Sequence, residues 1–146
     1  MILEMSDIGS VWKVLNPGIH DATLIEIEQH FATNERRKEL YQGLLRGCQA
    51  LKYAGCSVIY LDGSFITTKP IPNDFDVCWD PNGVDPTKLD SVLLDFDDQR
   101  RNQKRKYRGE FFPSSATADG HHTFVDFFQT DKETGRKKGI IRILLK

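Results

Sequence analysis

Apolar residues recur at helical spacing near the start of the chain and as short apolar runs further along. Leu24, Ile27 and Phe31 fall on one helical stripe. Thr23 precedes them with Glu26 three residues on, a pairing in which each side chain caps the other residue's backbone amide. A longer helix is predicted from about Asn34 to Ala54, because Leu40, Tyr41, Leu44, Leu45, Cys48 and Leu51 repeat with the same period. Gly55 then suits a left-handed end. The first twenty residues read as irregular, with Asn16-Pro17-Gly18 a turn.

The pattern then shortens. Ser57 to Leu61 is β-branched and apolar between glycines and reads as a strand. Pro70 and Pro72 forbid a long helix before Asp74, and Phe75 to Trp79 reads as a second strand, ended by Asp80-Pro81-Asn82-Gly83. A helix is predicted from Pro86, with Leu89, Val92, Leu93 and Phe96 inward, running on into DDQRRNQKRKYR. Phe111-Phe112 reads as a strand broken by Pro113, Thr123 to Gln129 as a strand, and Gly139 to Leu145 as a closing strand after a turn at Glu133-Thr134-Gly135. Together these predict one α+β domain over 1–146, a mixed β-sheet with helices packed mainly on one face.

Composition narrows this modestly. A hydrophobic share of 39% with nine Phe indicates a folded chain, and a net charge of −1 leaves any electrostatic preference to local patches. Cys48, Cys56 and Cys78 have no metal-ligand spacing and read as reduced, buried thiols of a cytoplasmic protein. No apolar run reaches membrane-spanning length, and the N-terminal residues lack the pattern of a leader.

The chemistry lies in LDGSFITTKPIPNDFDV. On a strand, Asp74 and Asp76 share one face while Phe75 points to the other. Two such carboxylates call for a cation between them, and a divalent metal carrying phosphate oxygens is a common answer. Gly63 would let backbone approach phosphate, and Ser64 would offer it a hydroxyl and an amide. Asp126, inside FVDFF, adds a third carboxylate where burial is costly. A buried Lys or Arg partner is its alternative. Lys69 lies in the phosphate-proximal loop, and Lys137-Lys138 in the final turn offers further cations. Asp62 and Asp80 read as turn residues.

Gly63-Ser64, the spacer, Asp74-Phe75-Asp76 and Asp126 resemble the nucleotidyltransferase fold of the DNA polymerase beta superfamily. The stretches LNPGIHDATLIEIEQHF, YLDGSFITTKPIPNDFDVCWD and FVDFFQTDKETGRKKGI also resemble small bacterial and phage-associated nucleotidyltransferase-like proteins, over most of the chain. The resemblance implies transfer of a nucleoside monophosphate from an NTP to a hydroxyl on RNA or protein. It implies Mg2+ (or Mn2+) held by Asp74, Asp76 and Asp126, with Gly63, Ser64 and Lys69 at the nucleotide. Members with similarly small catalytic domains include toxin–antitoxin components. The prolines of the spacer leave the helix that usually follows the Gly-Ser turn short or absent.

Two other readings stay open. One is a catalytically degenerate module that binds a nucleotide or a partner protein. The other is RNA binding through RRNQKRKYR (Arg100 to Arg108), six basic residues in nine with Tyr107 for stacking. The same run also fits the solvated face of a helix balanced by Asp95, Asp97 and Asp98. His121 and His122, just before FVDFF, lack a zinc-like set of companions. The aromatic cluster reads as core, with Phe124 or Phe128 a minor candidate for stacking on a base.

Overall fold

The computed structural model describes residues 3–115 and 123–146. A two-stranded antiparallel ribbon, β1 (Met5–Ser6) and β2 (Val14–Leu15), leads into β3 (Gly18–Asp21), an edge strand parallel to the last strand of the main sheet. These strands correct the expectation of an irregular beginning. They are too short and mixed in polarity to show a period, and β3 is held by backbone pairing.

Helix α1 (Leu24–Phe31) carries the predicted reciprocal cap, with Thr23 Oγ1 accepting from Glu26 N and Glu26 accepting from Thr23 N. Helix α2 (Glu35–Tyr53) is capped by Asn34. Strand β4 (Val58–Asp62) follows, then a 3-10 turn at Ser64–Ile66, strand β5 (Asp76–Trp79) and a second 3-10 turn at Ser91–Leu94. The helix expected from Pro86 is absent over this stretch. Asp85, Asp90 and Asp95 each accept from a backbone amide two residues on, which favours tight turns over helix.

Helix α3 (Asp97–Tyr107) contains a left-handed turn at Asp98, Gln99 and Arg100, with φ of 52°, 57° and 62°. Such backbone costs side-chain-bearing residues roughly 1–2 kcal/mol each. Strand β6 (Glu110–Pro113) comes next, then a short helix α4 (Phe124–Phe128) and strand β7 (Gly139–Leu144). Pro113 ends β6 without breaking it, because β6 is the outer strand of the order β3-β7-β4-β5-β6 and has no neighbour beyond it among the described residues.

The sheet is mixed as expected: β4 pairs antiparallel with β5 and β7, while β5–β6 and β3–β7 are parallel. Its inner face carries Ile59, Leu61, Val77, Phe111, Ile141 and Ile143, buried in one cluster with Ile27, Leu40, Leu44 and Leu51 of α1 and α2. Each fully buried side chain of this size contributes roughly 2 kcal/mol. Gly43 permits α2 to meet α3, since a Cβ there would lie 2.0 Å from Tyr107 O. Gln103 closes the β6 end from α3: its side chain accepts from Phe111 N (2.7 Å) and donates to Phe111 O (3.2 Å). The opposite face holds a smaller aromatic cluster around Cys78, Ile140 and Phe128, under α4.

Candidate functional site

Strand β4 ends at Asp62-Gly63-Ser64, where the chain turns sharply. Gly63 has φ +97°, and a Cβ there would lie 3.0 Å from Asp76 N, so only glycine fits without strain. This contact presses the turn against the start of β5. Sheet register does the rest. Asp62 is the direct partner of Asp76, and Asp76 is the direct partner of Glu110. Three carboxylates therefore lie side by side across β4, β5 and β6, and Asp74 sits one alternation before Asp76. They lie on the sheet face that carries Cys78 and Phe112, away from the main core.

The row is unevenly neutralised. Asp62 is buried and takes a 2.6 Å ion pair from Lys138 Nζ, itself largely enclosed. At the other end Glu110 receives Arg100 Nε at 3.1 Å and Lys104 Nζ at 3.0 Å. The Arg100 Nε contact is ionic rather than a well-directed hydrogen bond, since that nitrogen is buried without a hydrogen-bonded acceptor.

Asp76, between them, is pushed well above the ordinary carboxylate range by burial, then by the charges of Asp62, Glu110 and Asp74. Glu110 is held below its ordinary value: burial opposes this, but hydrogen bonds from Lys104 and Asp76 together with the nearby Arg100 charge outweigh it. The two form one acid pair whose members are pushed in opposite directions, Asp76 up and Glu110 down, so the proton is held more readily on the Asp76 side. Asp74 is raised by burial and by Glu110, with Lys104, Arg36 and Arg100 opposing. Asp62 is raised by burial against the pull of Lys138.

A cleft of about 250 Å³ opens over this end of the sheet, lined among others by Asp62, Gly63, Ser64, Asp76, Lys132 and Lys138. The segment from Ser64 to Asp74 borders it without a long helix, so its carbonyls need other partners. Helix α2 supplies them. Arg37, buried and facing no carboxylate among the described contacts, donates to Phe31 O, to Phe65 O at 2.6 Å, to Thr67 O at 2.7 Å and to Lys69 O. Arg36 donates to Pro72 O and Asn73 O, and Asn34 to Pro70 O. Ser64 Oγ donates to Asp74 O at 3.3 Å, tying the turn to the first acid.

Of the residues singled out in the sequence, Gly63, Ser64 and Asp76 line one cleft, with the charge of Asp74 close enough to act on Asp76. The strand expected over Thr123 to Gln129 is a helix instead. Thr123 Oγ1 accepts from Asp126 N and caps it, and Phe124 and Phe128 fall four residues apart. Asp126 is thereby exposed on α4, accepting from Thr123 Oγ1 at 3.2 Å, and lines a neighbouring cavity instead of the Asp76 cleft. Glu110 holds the strand position beside the dyad.

Lys69 does not line the cleft, and the lysines that do are Lys132 and Lys138. Lys137 pairs with Thr130 in a bridge beside it. Glu110 and Arg37 escaped the sequence reading, although an acid opening an apolar strand was visible in Gly109-Glu110-Phe111. Tyr107 is buried, with its hydroxyl on Asp90 at 2.5 Å, and cannot stack on RNA without leaving the core. Arg101, Lys106 and Arg108 of the basic run meet Asp98, Asp90 and Glu39. His121 and His122 lie outside the described residues.

Among the described residues, no group of three or more His, Cys, Asp or Glu side chains could hold a metal ion by itself, and no helix is long and apolar enough to cross a membrane. The chain belongs to DUF6932, a family of unknown function, whose profile matches residues 10–144. No curated protein and no solved structure matches it.

Proposed function

We propose that the chain is a metal-dependent nucleotidyltransferase of the cytoplasm, moving a nucleoside monophosphate from an NTP to a hydroxyl on RNA or protein. The observation that supports this is the in-register row Asp62–Asp76–Glu110 beside the Gly63-Ser64 turn. Burial pushes the central acid of the row, Asp76, upward, and the charges of Asp62, Glu110 and the nearby Asp74 push it further.

The donor set fits Mg2+ (or Mn2+). It consists of hard carboxylate oxygens, and Mg2+ is usually held by one or two carboxylates plus substrate phosphates, so a complete protein cage is not required. Asp76 and Glu110 would hold the ion with Asp74 beside them, and Glu110 takes the place that the resemblance gave to Asp126. A bound divalent ion would lower the pKa of the acceptor hydroxyl and offset charge on the phosphates. Gly63 and Ser64 present backbone and hydroxyl to the triphosphate, and Lys132 and Lys138 add cations along the same cleft.

The test is incubation with labelled NTPs, Mg2+ and cell extract. The expected result is a labelled RNA or protein band that is lost in Asp76→Asn and Glu110→Gln and retained in Asp126→Asn. Absence of any product above the Asp76→Asn background overturns transfer.

A second reading, a nucleotide- or partner-binding module without chemistry, draws on the ion pairs themselves. Lys138 on Asp62, and Arg100 with Lys104 on Glu110, already neutralise two of the acids. That reading expects nucleotide to raise the melting temperature with no labelled product.

A further inference from the structure

Beside the acid cleft lies a larger cavity of about 560 Å³, within the usual range of small-molecule sites. The two adjoin along a shared wall of Phe127, Thr130, Asp131 and Lys132. Their chemistry differs: the inner cleft is bounded by carboxylates, the Gly-Ser turn and Lys138, whereas the outer cavity offers an aromatic ring and the side-chain amide of Gln129. The aromatic residues of this face are also not equivalent. Phe112 and Phe124 stack on one another at 4.4 Å, and Phe128 packs on both, so these three rings are occupied with each other. Phe127 instead lines both cavities, with Lys132 Nζ 5.3 Å from its ring centroid.

We infer that the outer cavity is a nucleobase subsite with Phe127 as its stacking platform, and that Lys132 links base and phosphate. The inference rests on the nucleotide reading of the inner cleft. A base on Phe127 takes the ring face that the Lys132 ammonium now covers, and the freed ammonium meets phosphate in the cleft it already lines. One lysine thereby answers the ring when the site is empty of ligand and the anion when it is filled. Gln129, whose amide nitrogen donates to Val125 O at 3.2 Å, keeps its amide oxygen for a base edge. On this inference the base stacks on Phe127, while Phe124 and Phe128, the minor candidates read from the sequence, pack against each other and Phe112.

The experiment compares ATP with inorganic tripolyphosphate, both with Mg2+, by calorimetric titration. Stacking on an aromatic side chain predicts ATP binding about tenfold tighter than tripolyphosphate. Phe127→Leu, which keeps apolar bulk, brings ATP down to the tripolyphosphate level and leaves tripolyphosphate unchanged, whereas Phe127→Tyr keeps the difference. Lys132→Met weakens both ligands. Equal affinities in the unmodified protein, or a preference that survives Phe127→Leu, overturns the subsite. Base-dependent binding without transfer to any acceptor leaves the subsite standing and removes the enzyme. Tripolyphosphate binding with no base contribution removes the subsite and leaves the phosphate cleft. Binding of neither removes both.

Discussion

Enclosed beside three other carboxylates, Asp76 binds its proton more tightly in the folded chain than in the unfolded one. At this residue the folded state thus holds the proton above about pH 4, where the unfolded state gives it up, and the contribution of Asp76 to stability is lost as pH rises through the raised pKa. Glu110 has the opposite sign: its lowered pKa contributes stability above the unfolded value and loses it as pH falls through the folded one. Asp76→Asn keeps a donor toward Glu110 and removes the like charge. It is expected to raise stability by roughly 1 kcal/mol on the alkaline side and to flatten its decline as pH rises above the ordinary carboxylate range, as read by urea denaturation across pH. A variant less stable than the parent at pH 8 contradicts the protonated-acid account.

At this scale the sequence showed Gly63, Ser64, Asp74 and Asp76 because their spacing is local. Glu110 became visible only through the β5–β6 register, a non-local pairing that no short motif encodes.

Helix α2 reaches the site through Arg36 and Arg37, whose bonds to the carbonyls of Phe65, Thr67, Lys69, Pro72 and Asn73 replace the hydrogen bonds that a helix after Gly63-Ser64 would have made internally. Removing Arg37 leaves several carbonyls without a donor, two of them, Phe31 O and Phe65 O, reached by bonds in buried surroundings. Arg37→Met is expected to cost about 3 kcal/mol in denaturant unfolding, and Arg37→Lys to recover only part of this, because an ammonium lacks the fork that spans Phe65 and Thr67. A loss below about 0.5 kcal/mol, the range of ordinary surface changes, would show that the segment holds its own shape.

Helices α1 and α2 were legible, since the cap of α1 and the period of both agree. The Thr123 to Gln129 stretch misled because five residues, apolar but for Asp126, are too few to tell one period from the other. Its deciding signal was Thr123 three residues before Asp126, which supplies the N-cap half of the reciprocal arrangement that marks α1. Thr123→Ala should therefore loosen α4 by about 1 kcal/mol, seen as faster amide exchange at Asp126 and Phe127. Unchanged exchange there would contradict the cap.

For the whole molecule, one mixed sheet separates two tasks. Its inner face builds the core with α1, α2 and α3, and its outer face carries the acids, the aromatic cluster and the α4 wall of the two cavities. That division follows from the two-residue alternation of strands: Phe75, Val77 and Phe111 turn inward, so Asp76 and Glu110 must turn outward. The fold class was readable from alternation and period. The placement of the site was not, because it depends on which strands become neighbours.

Binding of Mn2+, followed by electron paramagnetic resonance with a non-hydrolysable NTP present, tests the acid row most directly. Bound Mn2+ is expected in the unmodified protein and in Asp126→Asn, and at least a tenfold weaker signal response in Asp76→Asn and Glu110→Gln. Mn2+ that stays free in the unmodified protein, or binding that disappears with Asp126→Asn and survives Glu110→Gln, would contradict it.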